Sequence, residues 1–205
     1  VYKRQASFLN GSGTQFLNVG AYAALGSDGS VATWGNAQYG GNGGPTGTGF
    51  TKVVSNNQAF AALKSDGSIR AWGYDWLGAD GAPTGTGFVD ISSNLQCFAA
   101  LRSDGTIYAW NGGWGGNGEP TDSGYVKIYS NQTSFAAIKS DGSINAWGEA
   151  VFGGTGAPTG TGFVRVYSSL HAFAALKADG SIKAWGSGDF GGTGAPTGTG
   201  FVQIY

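Results

Sequence analysis

The chain of 205 residues has no methionine, one cysteine, one histidine and five prolines, and only 11% of it is charged. Each scarcity excludes something. One cysteine, Cys97, cannot build a disulfide scaffold or a cysteine-based metal site. Beside Phe98 in an apolar run, it reads as a small buried side chain. One histidine, His171, cannot make a histidine-rich metal site, and no serine or cysteine nucleophile with a carboxylate stands in a recognisable arrangement around it. It reads instead as a half-exposed side chain at the edge of a repeat. No catalytic set is therefore legible, and no metal or cofactor is expected. No apolar run reaches the roughly 18 residues of a membrane-spanning helix, and helical periodicity is absent throughout. The net charge is −1. Lysine and arginine fall one or two to a repeat rather than in clusters, which leaves no electrostatic footprint for nucleic acid or an anionic membrane.

What is plentiful is glycine (40 residues) together with aromatics: 7 Trp, 9 Tyr and 12 Phe. The glycines sit at fixed places in a period, so they point to many tight turns rather than to disorder. Trp34, Trp72, Trp110, Trp147 and Trp185 recur at steps of 37 or 38 residues. Asp28, Asp66, Asp104, Asp141 and Asp179 keep the same step, as do Pro45, Pro83, Pro120, Pro158 and Pro196. Five tandem copies of one unit follow. Within a copy, Phe60 to Lys64 and Ser68 to Trp72 are short β runs separated by Asp66-Gly67. That dipeptide signals a hairpin, because glycine takes positive φ without a Cβ clash. Alternation puts Phe60 and Ala62 on one face, Ala61 and Leu63 on the other, with Ile69 and Ala71 together and Trp72 opposite them. Both faces are apolar, so each hairpin must be covered on both sides, as in a propeller blade or solenoid rung.

A third strand precedes each hairpin, at 88–91, 125–129 and 163–167, its alternate polar residues marking a more exposed face. A glycine-rich link such as Gly153–Gly162 joins Trp-Gly to this strand and has room for a fourth. The class is all-β, with about three strands per repeat. Copy three is one residue shorter after Trp110, which marks that stretch as a surface loop.

Residues 1–5 share nothing with the repeat and read as the translated adapter of a sequencing library, so the repeat domain is taken as residues 6–205. Gly11-Ser12-Gly13 reads as a loop and Phe16-Leu17-Asn18-Val19 as the outer strand of copy one. Residues Phe201–Tyr205 repeat the first strand of a sixth copy. The expectation is a piece of a longer reading frame, cut at both ends.

The unit resembles the repeat of the regulator of chromosome condensation family, on Ala62-Leu63, Asp66-Gly67-Ser68-Ile69, Trp72-Gly73, Gly78 and Gly81, and again on Ala175-Leu176, Asp179-Gly180, Trp185-Gly186, Gly191 and Gly194. The resemblance covers residues 20–205 and implies a β-propeller of four-stranded blades. The repeat here is shorter than the family's usual blade. Asn56, Ser93, Asn131 and Ser169 stand where the family has glycine before the second strand. Five compact blades close into a ring, or the parent carries more. Similar compact repeats occur in long surface or secreted proteins, so the resemblance implies an extracellular or cell-surface setting.

Among candidate sites, the repeat aspartates lack the spacing of a calcium loop and read as turn residues. The Gly-Gly-x-Gly segments precede no helix and no Gly-Lys-Ser/Thr, so they are not phosphate loops. Before the glycine that follows each Trp-Gly or Trp-Asn by a few residues, doubled in all copies but the second, stands a large side chain: Tyr39, Leu77, Trp114, Phe152 or Phe190, with Trp76 beside Leu77. These read either as plugs between neighbouring repeats or as a ring of platforms on which sugars stack. Three functions follow as expectations: a non-enzymatic scaffold binding a protein partner on a propeller face; a multivalent glycan-binding module using Tyr39, Trp76, Trp114, Phe152 and Phe190; and, behind both, guanine-nucleotide exchange on a small GTPase.

Overall fold

The computed structural model describes residues 16–111, 113 and 116–205. The adapter-like residues 1–5, the Gly11-Ser12-Gly13 loop and Trp114 lie outside the described residues. Every repeat forms the expected hairpin. In chain order the strands are β1 (Ala21–Leu25), β2 (Val31–Gly35), β3 (Phe50–Ser55), β4 (Ala59–Lys64), β5 (Ile69–Gly73), β6 (Phe88–Ser93), β7 (Phe98–Arg102), β8 (Ile107–Trp110), β9 (Tyr125–Ser130), β10 (Ser134–Lys139), β11 (Ile144–Gly148), β12 (Phe163–Ser168), β13 (Ala172–Lys177) and β14 (Ile182–Gly186). They make five antiparallel sheets, β1–β2 and then four of three strands each, with the middle strand pairing on both sides.

The turn chemistry is the same in all five copies. In the second, Gly67 has φ +79° and donates its N–H to Lys64 O at 2.9 Å, while Asp66 Oδ1 accepts from Ser68 N at 2.8 Å and from Ser68 Oγ at 2.6 Å. The carboxylate thus takes the place of a missing backbone partner. Hydrogen bonds from the residue after the glycine hold all five turn aspartates below the usual carboxylate pKa.

Side-chain alternation falls as the pattern predicts. Phe60, Ala62 and Trp72 pack against Ala21, Ala23, Val31 and Tyr39 of the preceding repeat. Ala59, Ala61, Leu63 and Ile69 face Ile91, Phe98, Ala100 and Trp110 of the following one. A stacked aromatic pair anchors each interface: Phe60–Trp72, Phe98–Trp110, Phe135–Trp147 and Phe173–Trp185, with ring centroids 5.2 to 5.3 Å apart. The tryptophan reaches back across the interface. Trp72 Nε1 donates to Gly40 O at 3.1 Å, Trp110 to Gly78 O at 3.0 Å and Trp185 to Gly153 O at 3.0 Å. Each acceptor glycine closes a one-turn 3-10 helix in the left-handed region. A Cβ on Gly78 would sit 2.8 Å from the Phe98 ring, so both backbone and packing demand glycine.

Four expectations are corrected. The third strand is the inner one, not the outer. β3, β6, β9 and β12 lie against one another in succession, which places them nearest the axis. Phe16-Leu17-Asn18-Val19 forms no strand. No fourth strand forms in the described part of the links. Positive-φ glycines, such as Gly81, Gly85 and Gly87, surround a proline that has no N–H to donate, and such a segment cannot keep a ladder. Finally, the residue replacing the family's glycine in copy three is Asn94, not Ser93. Asn18, Asn56, Asn94 and Asn131 each accept the N–H groups two and three residues on, at 2.7 to 3.1 Å. The Nδ2 of Asn18, Asn56 and Asn131 donates to Tyr39 O, Leu77 O and Phe152 O. Ser93 belongs to another set, in which Ser93 Oγ donates to Ser55 O at 2.8 Å.

Candidate interaction faces

The inner strands carry one extra residue each. In β3, Phe50 pairs with Lys64 and Lys52 with Leu63, so Thr51 stands outside the ladder. The same insertion falls at Val89, Val126 and Val164. Such an extra residue bends the strand and re-aims its side chain. All four are exposed, and the three valines are 54 to 56% exposed. The next residue in each strand, Lys52, Asp90, Lys127 or Arg165, occupies one equivalent position around the axis. These four sense each other. Lys52 Nζ meets Asp90 Oδ1 at 2.5 Å. Lys127 is held below the ordinary lysine pKa first by burial and next by the charge of Arg165. Among the described residues neither Lys127 nor Arg165 has a carboxylate in salt-bridge range.

The middle strands add cations at the same end. Lys64, Arg102, Lys139 and Lys177 lie over the rings of Phe50, Phe88, Tyr125 and Phe163 at 5.0 to 5.5 Å. Further out stand the Asp-Gly hairpin tips. This end is therefore graded: cationic and aliphatic at the axis, acidic at the rim. Asp122, in the link of copy three, ties into the sheet of copy four: Tyr125 donates to Asp122 Oδ1 at 2.7 Å, Lys139 donates to Asp122 Oδ2 and Asn145 to the Tyr125 hydroxyl. Burial, followed by the Asp122 contact, pushes the Tyr125 phenol up. Sequence reading passed over this face. Its signal was the charged residue two places after the leading aromatic of each third strand, Lys52, Asp90, Lys127 or Arg165.

Of the aromatic residues singled out in the sequence, Tyr39, Trp76, Phe152 and Phe190 lie at the opposite end, on the 3-10 turns. Tyr39 is partly buried and packs edge-on against Tyr74 at 6.5 Å. Phe152 stacks on His171 at 4.3 Å, and Phe190, 40% exposed, meets the same imidazole edge-on at 4.6 Å. Partly buried His171 thus contacts aromatic rings of two successive repeats. Trp76 differs from these, being 79% exposed next to half-exposed Tyr74. The described platforms are therefore unequal: two share a histidine, one leans on a tyrosine and one is open. Cys97 is wholly buried, its Sγ 3.1 Å from Asn111 O, and burial pushes the thiol up to about 12. At neutral pH this thiol carries no thiolate to act as nucleophile. Among the described residues no group of three or more His, Cys, Asp and Glu side chains is placed to hold a metal, and no helix is long and apolar enough to cross a membrane.

No family model matches the sequence, and no curated protein matches it. Solved structures do. The chain is similar to the CRINKLY WD40 ectodomain of the Arabidopsis thaliana receptor kinase ACR4, at 21% identity and a TM-score of 0.62, over 91% of this chain and 68% of that one. The ectodomain of the Physcomitrella patens receptor kinase CR4 matches at 17% identity and 0.61, over 82% and 50%. Yeast RCC1 (Prp20), solved with Kap60, matches at 16% and 0.58, over 84% and 55%. The architecture is that of a β-propeller. At these identities the likeness is one of fold, and the chain spans half to two thirds of the length of these structures.

Proposed function

We propose that this chain is a non-enzymatic interaction module that takes a protein partner at the axial end where the extra strand residues emerge. The observation that carries this reading is the coincidence of three exposed valines with two cations, on adjacent inner strands, that have no carboxylate in salt-bridge range among the described residues. A solitary exposed valine needs no explanation, but a repeated set around one axis does. The matching partner is a segment offering carboxylates to Lys127 and Arg165 and aliphatic side chains to Val89, Val126 and Val164. A protein partner is in keeping with the similar yeast RCC1, which was solved with Kap60. Direct binding of a fluorescent peptide of alternating glutamate and leucine tests it. Binding should weaken with salt and be lost in K127E/R165E, while a lysine–leucine peptide should not bind. Equal binding of both peptides, or full binding by the double variant, would remove this reading.

A second reading keeps one observation of its own. Trp76 and Tyr74 form an exposed aromatic surface at the other end of repeat two, suited to the apolar face of a sugar ring. A glycan array separates the two: a signal lost in W76A and untouched by K127E/R165E would favour it. Nucleotide exchange on a small GTPase finds no particular support among these contacts.

A further inference from the structure

Each three-stranded sheet ends, away from the axis, on a strand that pairs on one side only. These are β5, β8, β11 and β14, which join β4, β7, β10 and β13. In β5 the bonds to β4 run through Arg70 and Trp72, which stand opposite Ala62 and Phe60. The parity follows from the flanking bonds, Lys64 N to Ser68 O at 2.9 Å and Tyr74 N to Gln58 O at 3.0 Å, because bonded pairs alternate along an antiparallel ladder. Ile69, Ala71 and Gly73 therefore aim their N–H and C=O groups outward, where they meet no partner among the described residues.

The glycine-rich links run beside this edge without pairing to it. On the side of Arg70, a groove of about 190 Å³ lies between Gly43, Pro45 and Thr46 of the preceding link and Arg70 and Ala71. A Cβ on Gly43 would meet nothing within 4 Å, so that wall leaves side-chain space. Among repeats with a described neighbour on both sides, β5 stands apart. In β8 the outward-facing Ala109 is buried, and in β11 the counterpart of Arg70 is Asn145, which already donates to the Tyr125 hydroxyl. Arg70 is exposed and has no carboxylate in salt-bridge range among the described residues.

We propose that β5 takes an extended acidic segment of a partner protein as a fourth strand, antiparallel like every ladder in the described chain. Ile69, Ala71 and Gly73 bond its backbone, and a carboxylate stands opposite Arg70, at the closer kind of pair. Pairing two β5 edges in register would set two Arg70 guanidinium groups opposite or diagonal to each other. The edge thus selects against a second copy and for a strand of opposite charge. The site is separate from the axial end, since β5 lies two strands out from β3.

Amide hydrogen exchange of the full chain, titrated with a short peptide of alternating valine and glutamate, tests this. Without peptide, Ile69, Ala71 and Gly73 should exchange faster than Arg70 and Trp72. Peptide should slow those three alone. The peptide's valine N–H groups face β5 and its glutamate N–H groups face away. N-methylation of the valines should therefore weaken binding at least about tenfold, and N-methylation of the glutamates should leave it intact. R70E, at an exposed position, should weaken binding about fivefold, and K127E/R165E should not change it. No slowing at about 1 mM peptide would overturn the proposal, as would equal binding of the two methylated peptides or full binding by R70E. So would loss of binding in K127E/R165E, which would place the peptide at the axial end. Protection of the three amides in the chain alone would mean that the edge is covered from within, and protection that rises with chain concentration would make a second copy the occupant. Either would equally overturn it.

Discussion

The first repeat and the interior ones share a hairpin, a stacked ring pair and an aspartate turn, yet Trp34 is 51% exposed while Trp110 is 3% exposed. The sequence around the two tryptophans hardly differs. What differs is whether a neighbouring repeat packs over them among the described residues. In this molecule, burial belongs to the junction between units and not to the unit, as in other arrays whose repeats meet only their neighbours.

The largest test of that contrast is truncation. W110A should cost about 3–5 kcal/mol in denaturant unfolding, as buried aromatic deletions do. W34A should cost under about 1 kcal/mol, because surface substitutions away from packed features have small effects. Equal losses would break the comparison. Next come the turn glycines, whose φ values of +99° at Gly78 and +90° at Gly191 impose similar backbone strain on any substitution. Only Gly78 also meets a ring, so G78A should be more destabilising than G191A by about 1–3 kcal/mol, the usual range of overpacking. A thermal melt of both variants measures the packing contribution with the strain cancelled.

The asparagine pins give a third contrast. Asn131 is fully buried and serves two N–H donors and the Phe152 carbonyl, whereas Ser169 holds Phe190 O at 2.7 Å with its hydroxyl. N131A should cost about 1–3 kcal/mol through stranded buried donors, and S169A about 1 kcal/mol or less. Smallest is the acid response, in which ends and interior should agree. The turn aspartates have depressed folded pKa values, so their contribution is present above the unfolded value of 3.8 and lost as pH falls through the folded ones. D28N and D66N should each remove part of that acid sensitivity to the same degree. A circular-dichroism titration in which only the interior variant matters would contradict it.

The hairpins, the two apolar faces and the all-β class were legible because Asp-Gly, alternation and period each act locally. Asn111 shows how far this goes: at φ +70° it takes the left-handed place that Gly35, Gly73, Gly148 and Gly186 hold elsewhere, a substitution that asparagine tolerates. The inner position of the third strand was not legible, because distance from the axis is set by contacts between repeats. The axial cations were hidden for a related reason. Lys52, Lys127 and Arg165 are far apart in sequence, and even spacing along a repeat array becomes a cluster in space once the units stack around an axis. The aromatic turns were found from the double glycines. That Phe152 and Phe190 would share His171 depends on a side chain peculiar to one repeat, which no periodic argument contains.

In three of the described repeats the indole hydrogen bond reaches 32 residues back along the chain, from Trp72 to Gly40, Trp110 to Gly78 and Trp185 to Gly153. Synthesis runs in the other direction. Each of these three units therefore leaves the ribosome with its turn carbonyl unclaimed and its socket open, and it is completed only when its successor's last strand has emerged. Translation order makes every repeat the template against which the next one sets.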